Sequence, residues 1–346
     1  AGIARDARTT GAGPIIYVAR DDARMQRVAE GLSFYAADIK RIVLPAWDCL
    51  PFDRVSPRAD IVSQRLSALG QLLKLGEGPT VLLTTVNAML QRVPPRAELE
   101  RAVFAVTTGK QIKPEDLIGF LENNGYTRAG TVMEAGEYAS RGGLLDVFPS
   151  DAEEPLRIDL FGDDVESIKT FDPLTQRSIE AVASFEIGPV GEAPLNETSI
   201  EQFKAGYRSQ FGAVTATDPL FEAVSAGRRY PGMEHWLPLF HETLETVFDY
   251  VAAGPIILDH MAEQARDDRF EAIADYYQAR TTAASGTGRE GGLDSPTYHA
   301  LPPETLYLDG EALAACLAGR PVGICVPFTE GDSEHQVSVD ARPARD

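Results

Sequence analysis

Along the first hundred residues, short apolar runs alternate with stretches in which apolar side chains recur every three or four positions. Ile15-Ile16-Tyr17-Val18 is such a run. Asp21-Asp22 then supplies a helix-start signal, and Met25, Val28, Ala29, Leu32 and Tyr35 follow at helical spacing. Arg41–Leu44 predicts a second strand, stopped by Pro45, and an irregular stretch runs from Trp47 to Asp60. Ile61, Arg65-Leu66, Leu69 and Leu72-Leu73 mark a helix, Thr80–Leu83 a third strand, and Val86–Leu90 the start of another helix. Strands alternating with helices imply a parallel sheet covered on both faces.

Near residue 102 the pattern changes. A helix is predicted over Pro114–Asn123, with its proline in the first turn and Asn124-Gly125 as a stop. Short strands are predicted at Gly143–Phe148, Leu156–Phe161, Val165–Phe171 and Ser184–Ile187, parted by Pro149, Gly162-Asp163 and Asp172-Pro173. Leu156–Phe161 alternates strictly, so Leu156, Ile158 and Leu160 share one face and Arg157, Asp159 and Phe161 the other. Residues 102–187 therefore predict a small α+β insert with an antiparallel sheet and an aromatic on its polar face. Beyond it the α/β pattern returns. Thr198–Glu201 reads as a capping box before a helix carrying Phe203, Tyr207 and Phe211. A strand is expected at Pro255–Leu258 and a polar helix from Met261 to Arg280. Further strands are expected at Thr305–Leu308 and Val322–Val326. Residues 281–297 read as a loop and 329–346 as a linker or tail.

Composition narrows the class. With 44% hydrophobic and 24% charged residues, the 346-residue chain is globular and long enough for two or three domains. Its net charge of −20 argues against a surface that grips nucleic acid throughout. Residues 1–101 carry a net +3, 102–187 a net −9 and 188–346 a net −14, so only the first third could approach a polyanion. No apolar run reaches the roughly 20 residues of a membrane span. Cys49, Cys316 and Cys325 are scattered, which fits a reducing cytoplasm. The chain opens at Ala1 rather than Met and is expected to be a piece of a longer protein.

Short catalytic motifs fail their structural tests. Gly286-x-Gly288-x-x-Gly291 follows a helix rather than a strand, and Pro296 comes after it, so it reads as a loop. His241-Glu242 lacks a second histidine four residues on, where Glu245 stands. His235, His241, His260, His299 and His335 read as surface or satisfied core residues. Gly11-Ala12-Gly13 has no lysine to reach a phosphate, and no Gly-x-Ser-x-Gly elbow occurs. No catalytic residue and no metal ligand is assigned.

Four longer segments carry more information. They are Trp47–Pro57 ahead of Gln64-Arg65-Leu66, Thr84–Pro94, Glu137–Pro149, and Arg157–Ile168 running on to Phe171-Asp172-Pro173. Together and in this order they resemble the UvrB-homologous, amino-terminal module of the bacterial transcription-repair coupling factors, over about residues 2–328. The resemblance implies a degenerate helicase-like, RecA-type parallel-sheet domain in two parts, 1–101 and 188–328. Between them would lie a UvrA-binding domain, 102–187. It further implies that Arg141, Arg157 and Phe161 contact UvrA. UvrB itself carries a long aromatic hairpin after the segment equivalent to Trp47–Asp60, and an Asp-Glu pair at the strand end equivalent to Asp259-His260. Here the segment is short, with Phe52 the only aromatic after Trp47, and the glutamate is missing.

The expectation is a binding module that recruits UvrA to stalled RNA polymerase for transcription-coupled nucleotide excision repair. It would hold no cofactor and hydrolyse no ATP itself. RNA polymerase, DNA, ATP and magnesium would be engaged by downstream domains, and no membrane partner is expected. A UvrB-type ATPase that verifies damage is one alternative, and an autoinhibitory regulatory domain of the translocase another. Arg plus an aromatic on one sheet face is the usual make-up of an interface hot spot. Substituting Arg141, Arg157 or Phe161 is expected to leave folding nearly untouched.

Overall fold

In the computed structural model, residues 2–9, 13–212, 218–251, 253–284 and 298–326 are described. After helix α1 (Gly2–Thr9) come β1 (Ile15–Ala19), α2 (Asp22–Tyr35), β2 (Lys40–Leu44), α3 (Ala59–Leu73), β3 (Thr80–Thr85), α4 (Val86–Met89) and α5 (Arg96–Arg101). Asp21 caps α2 by accepting the Arg24 amide at 2.7 Å, as the Asp-Asp signal predicts. The chain re-enters this body with α7 (Glu197–Phe211), α8 (Pro219–Ser225), α9 (Val247–Tyr250), β12 (Ile256–Leu258), α10 (Ala262–Ala284), α11 (Gly310–Leu317) and β13 (Val322–Ile324).

Five strands form a wholly parallel sheet in the order β13-β12-β1-β3-β2, so strands from before and after the insert build one sheet. Every residue of β1 and β3 is buried, because helices cover both faces. Ile16, Val18 and Leu82 join one core, and Ile15, Tyr17 and Leu83 the core on the other side. A third cluster, rich in aromatics, gathers Trp47, Phe52, Phe203, Tyr207, Trp236, Phe240 and Tyr307.

The insert contributes β4 (Phe104–Thr107), α6 (Pro114–Asn123), β5 (Thr127–Arg128), β6 (Glu137–Arg141), β7 (Leu144–Val147), β8 (Leu156–Phe161), β9 (Asp164–Phe171), β10 (Ser178–Ala181) and β11 (Ser184–Ile187). Six strands run in the order β10-β9-β8-β7-β6-β5, all antiparallel except the β5–β6 pair. Leu117 and Leu121 of α6 pack on the sheet face that carries Leu145, Val147, Leu156, Ile158 and Ile168. β11 leaves this sheet and pairs with β4 instead.

Several local expectations are corrected. Glu137–Arg141 is a strand, although its alternation is weak, because the Gly142-Gly143 turn folds it onto β7. Thr305–Leu308 is no strand, since Pro302-Pro303 starts a 3₁₀ turn over Pro303–Thr305 and only Tyr307 bridges to Gln91. The cap of α7 is Asn196, boxed with Ser199, two residues ahead of the expected Thr198. Helix α10 continues to Ala284, so the segment expected to loop from 281 is helical at first. Gly11-Ala12, the Gly286–Gly291 string, His335 and the tail 329–346 lie outside the described residues.

Candidate partner-binding face

Two tight hairpins shape one end of the inserted sheet. Arg141 pairs with Leu144 across Gly142-Gly143, and Phe161 pairs with Asp164 across Gly162-Asp163. The first residue of each turn is a glycine in the left-handed region, Gly142 at φ 61° and Gly162 at φ 62°. Gly143 lies flush against β8, where its carbonyl accepts the Leu160 amide at 2.7 Å. A Cβ at that position would meet the Leu160 carbonyl oxygen at 2.4 Å. The two turns are thus locked side by side, and Phe161 stands next to the first.

The face away from α6 carries Ala139 and Arg141 of β6, Leu144 and Asp146 of β7, Arg157, Asp159 and Phe161 of β8, and Ser167, Lys169 and Phe171 of β9. Half of it is roofed, since Val132, Ala139, Phe148 and Phe171 form a small second core. The hairpin half is open. There Phe161 is 73% exposed and Leu144 40% exposed.

The three residues singled out from the sequence have different local settings. Phe161 projects freely from the strand end. Arg157 is tied down: Nε and Nη2 donate to the two Asp146 carboxylate oxygens at 2.7 and 2.8 Å. Its Nη1 donates to the Gln176 carbonyl at 3.0 Å, and the guanidinium lies 4.5 Å from the centre of the Phe171 ring. The hydrogen bond to Asp146 raises the Arg157 pKa further, so the side chain stays charged. With 22% of its side chain exposed, Arg157 is part of the sheet's own structure as well as of its surface. These contacts lead us to expect a loss of stability on its removal, in place of the sequence-based expectation that folding is left untouched. Arg141 ends β6, and its Nη2 donates to the Gly130 carbonyl and to Thr131 Oγ1. Arg141 and Phe161 share the hairpin end, two strands or about 10 Å apart by sheet spacing.

Sequence reasoning passed over Leu144, Asp146 and Gln176. Leu144 was legible, because buried Leu145 and Val147 force it outward by alternation. The Arg157–Gln176 contact, 19 residues apart in sequence, carries no spacing signal.

In the parallel sheet, Asp259 follows β12 and is 2% exposed. Arg24 Nε donates to both its oxygens, at 3.2 and 3.0 Å. The Tyr17 hydroxyl also bonds to Asp259, and burial followed by that bond raises the tyrosine pKa. His260 beside it is exposed. Phe52, the aromatic of the shortened segment, is buried, and its carbonyl accepts Arg280 Nε at 2.8 Å. Among the described residues no group of His, Cys, Asp and Glu could hold a metal ion, and no helix is long and apolar enough to cross a membrane.

Residues 104–192 match the UvrB interaction domain family. The chain is 34% identical to the transcription-repair-coupling factor of Escherichia coli, across 90% of this chain and 26% of that protein. For the Haemophilus influenzae protein of the same name the identity is 33%, across 87% and 25%. For that of Bacillus subtilis it is 26%, across 75% and 24%. The chain spans about a quarter of the length of these relatives. An open aromatic face on a six-stranded insert, two halves of a parallel sheet around it and this likeness over most of the chain agree: the chain is homologous to a quarter-length portion of the transcription-repair-coupling factors, and residues 104–192 match the UvrB interaction domain family.

Proposed function

We propose that the chain is the UvrA-recruiting module of a transcription-repair coupling factor, and that the open hairpin half of the inserted sheet is its docking face. The observation that carries this reading is Phe161, 73% exposed on the open half of the sheet face, with Leu144 and Arg141 beside it. An exposed aromatic flanked by an arginine on a rigid strand end is ready-made for a hot spot, since little order is lost on binding. The match of residues 104–192 to the UvrB interaction domain supports it. RNA polymerase and the ATP-driven DNA motor are assigned to other parts of the longer protein.

The module itself is read as carrying no ATPase. In phosphoryl-transfer sites a carboxylate holds the magnesium ion that bridges the phosphates. Asp259 is instead engaged by Arg24 and Tyr17, and His260 supplies no second carboxylate. These residues do not suit a magnesium nucleotide. The burial of Phe52 likewise speaks against an aromatic DNA clamp at that segment.

Calorimetric titration of the chain with purified UvrA tests the docking reading. The wild-type chain binds, and Phe161→Ala weakens the complex by about 2 kcal/mol or more. Wild-type affinity in Phe161→Ala, with an unchanged melt, would place the interface elsewhere.

A further inference from the structure

At the roofed end of the same face, the loop between β9 and β10 holds Leu174, 80% exposed. This loop is braced at every turn. Thr175 N donates to Asp172 Oδ1 at 2.6 Å, Gln176 N to the Asp172 carbonyl at 2.8 Å, and Asp172 N to the Arg177 carbonyl at 3.0 Å. Gln176 has φ 60°, a left-handed conformation that disfavours any residue but glycine. Its side-chain amide donates to the carbonyls of Pro173 at 2.7 Å and Val132 at 3.1 Å, and its own carbonyl takes Arg157. Next to Val132, Met133 is 42% exposed, and its sulfur lies 4.0 Å from Gln176 Nε2. The amides of Met133 and Glu134 both donate to Glu137 Oε2, at 2.8 and 3.0 Å. Two exposed apolar side chains are therefore carried on backbone that is fixed before any partner arrives.

Strain kept in a surface loop needs a compensating use, and a pre-ordered apolar contact is one. We propose that Leu174 and Met133 form a second apolar anchor for UvrA, continuous with the Phe161 anchor through Arg157; this rests on the docking reading above. Arg157 then has two tasks, to bridge the two patches and to hold the Gln176 loop. Phe161 lies four positions along β8 from Arg157, about 13 Å at strand rise. A standard interface covers roughly 800 Å² of each partner, a patch about 30 Å across, so one bound surface can span both anchors.

The test titrates the full chain with UvrA in four forms: wild type, Phe161→Ala, Leu174→Asp and Met133→Asp. Phe34→Asp serves as the control, because Phe34 on α2 is also 80% exposed but belongs to the parallel-sheet body. The expected result is a loss of affinity of at least about tenfold in Leu174→Asp and Met133→Asp. Their melts stay at wild type, and the control keeps its affinity. Affinity within twofold of wild type in both loop variants, while Phe161→Ala is weakened, would overturn the second anchor and leave the docking reading standing. An equal loss in Phe34→Asp would also overturn it. Failure of the wild-type chain to bind UvrA would overturn both.

Discussion

Arg65 on α3 and Glu192 at the end of the insert meet at 2.5 Å, Nε to Oε1, with neither side chain exposed to solvent. Arg65 Nη1 also donates to the Pro45 carbonyl at 2.7 Å, and the Glu192 carbonyl bonds to His241 Nε2 at 2.9 Å. This pair fastens the return of the insert to the parallel-sheet body.

Breaking such a pair leaves one charge buried without a partner, which costs more than the pair contributes. Glu192→Ala should therefore lower stability by about 3–5 kcal/mol, whereas a double replacement by apolar residues of similar volume should recover much of the loss. Urea denaturation of the single and double variants measures the difference. Equal destabilisation by both would contradict this account.

Arg157 and Phe161, four residues apart on one strand, should separate in a melt. Phe161→Ala removes a solvated ring and should change stability by no more than about 0.5 kcal/mol. Arg157→Ala strands Asp146 and frees the Gln176 carbonyl, so a loss of about 1–3 kcal/mol is expected. Arg157→Lys should not rescue it, because an ammonium cannot replace the two-pronged contact with Asp146. Identical melting points for the Ala variants would refute the bracing role.

On the opposite face of β8, Ile158 is 1% exposed and Leu160 is 8% exposed, both within the insert's core. Ile158→Ala or Leu160→Ala should cost about 2–5 kcal/mol through the cavity left behind. Hydrogen exchange resolves whether the loss is confined to residues 104–192, as the insert's own core predicts.

His235 supplies a pH signature. Burial pushes its pKa down to about 4, and its ring packs edge-on against Trp47 at 5.7 Å. The unfolded chain takes up a proton near pH 6.5 that the folded chain refuses. Its contribution is thus fully present above about pH 6.5 and is lost as pH falls toward 4, by up to about 3 kcal/mol. Melts at pH 7.5 and 5.0 should show a smaller drop in His235→Phe than in wild type. The same slope in both would assign the pH dependence to other groups.

Asp259 leads to an expectation about nucleotides. With Arg24 donating to both its oxygens, the chain should show no micromolar affinity for ATP with magnesium. Isothermal titration decides it. Binding at that strength would mean that the Arg24 contact opens to admit the ligand.

The alternation of strand and helix, the change of pattern at residue 102 and the division of β8 into an apolar and a polar face all follow from side-chain order alone. Their cause is local: periods of two and of three to four are properties of a short segment of backbone. Leu156–Phe161, Pro114–Asn123 and Ser184–Ile187 consequently have the predicted limits. Tertiary structure decided what those segments meet. It paired Glu137–Arg141 with β7 through a two-glycine turn, sent β11 to β4, and turned Arg157 from a free surface charge into the brace of a loop 19 residues away. Each of these depends on which distant carbonyl or carboxylate is left unpaired when the sheet closes, and that is settled by the whole register of strands, not by any one of them.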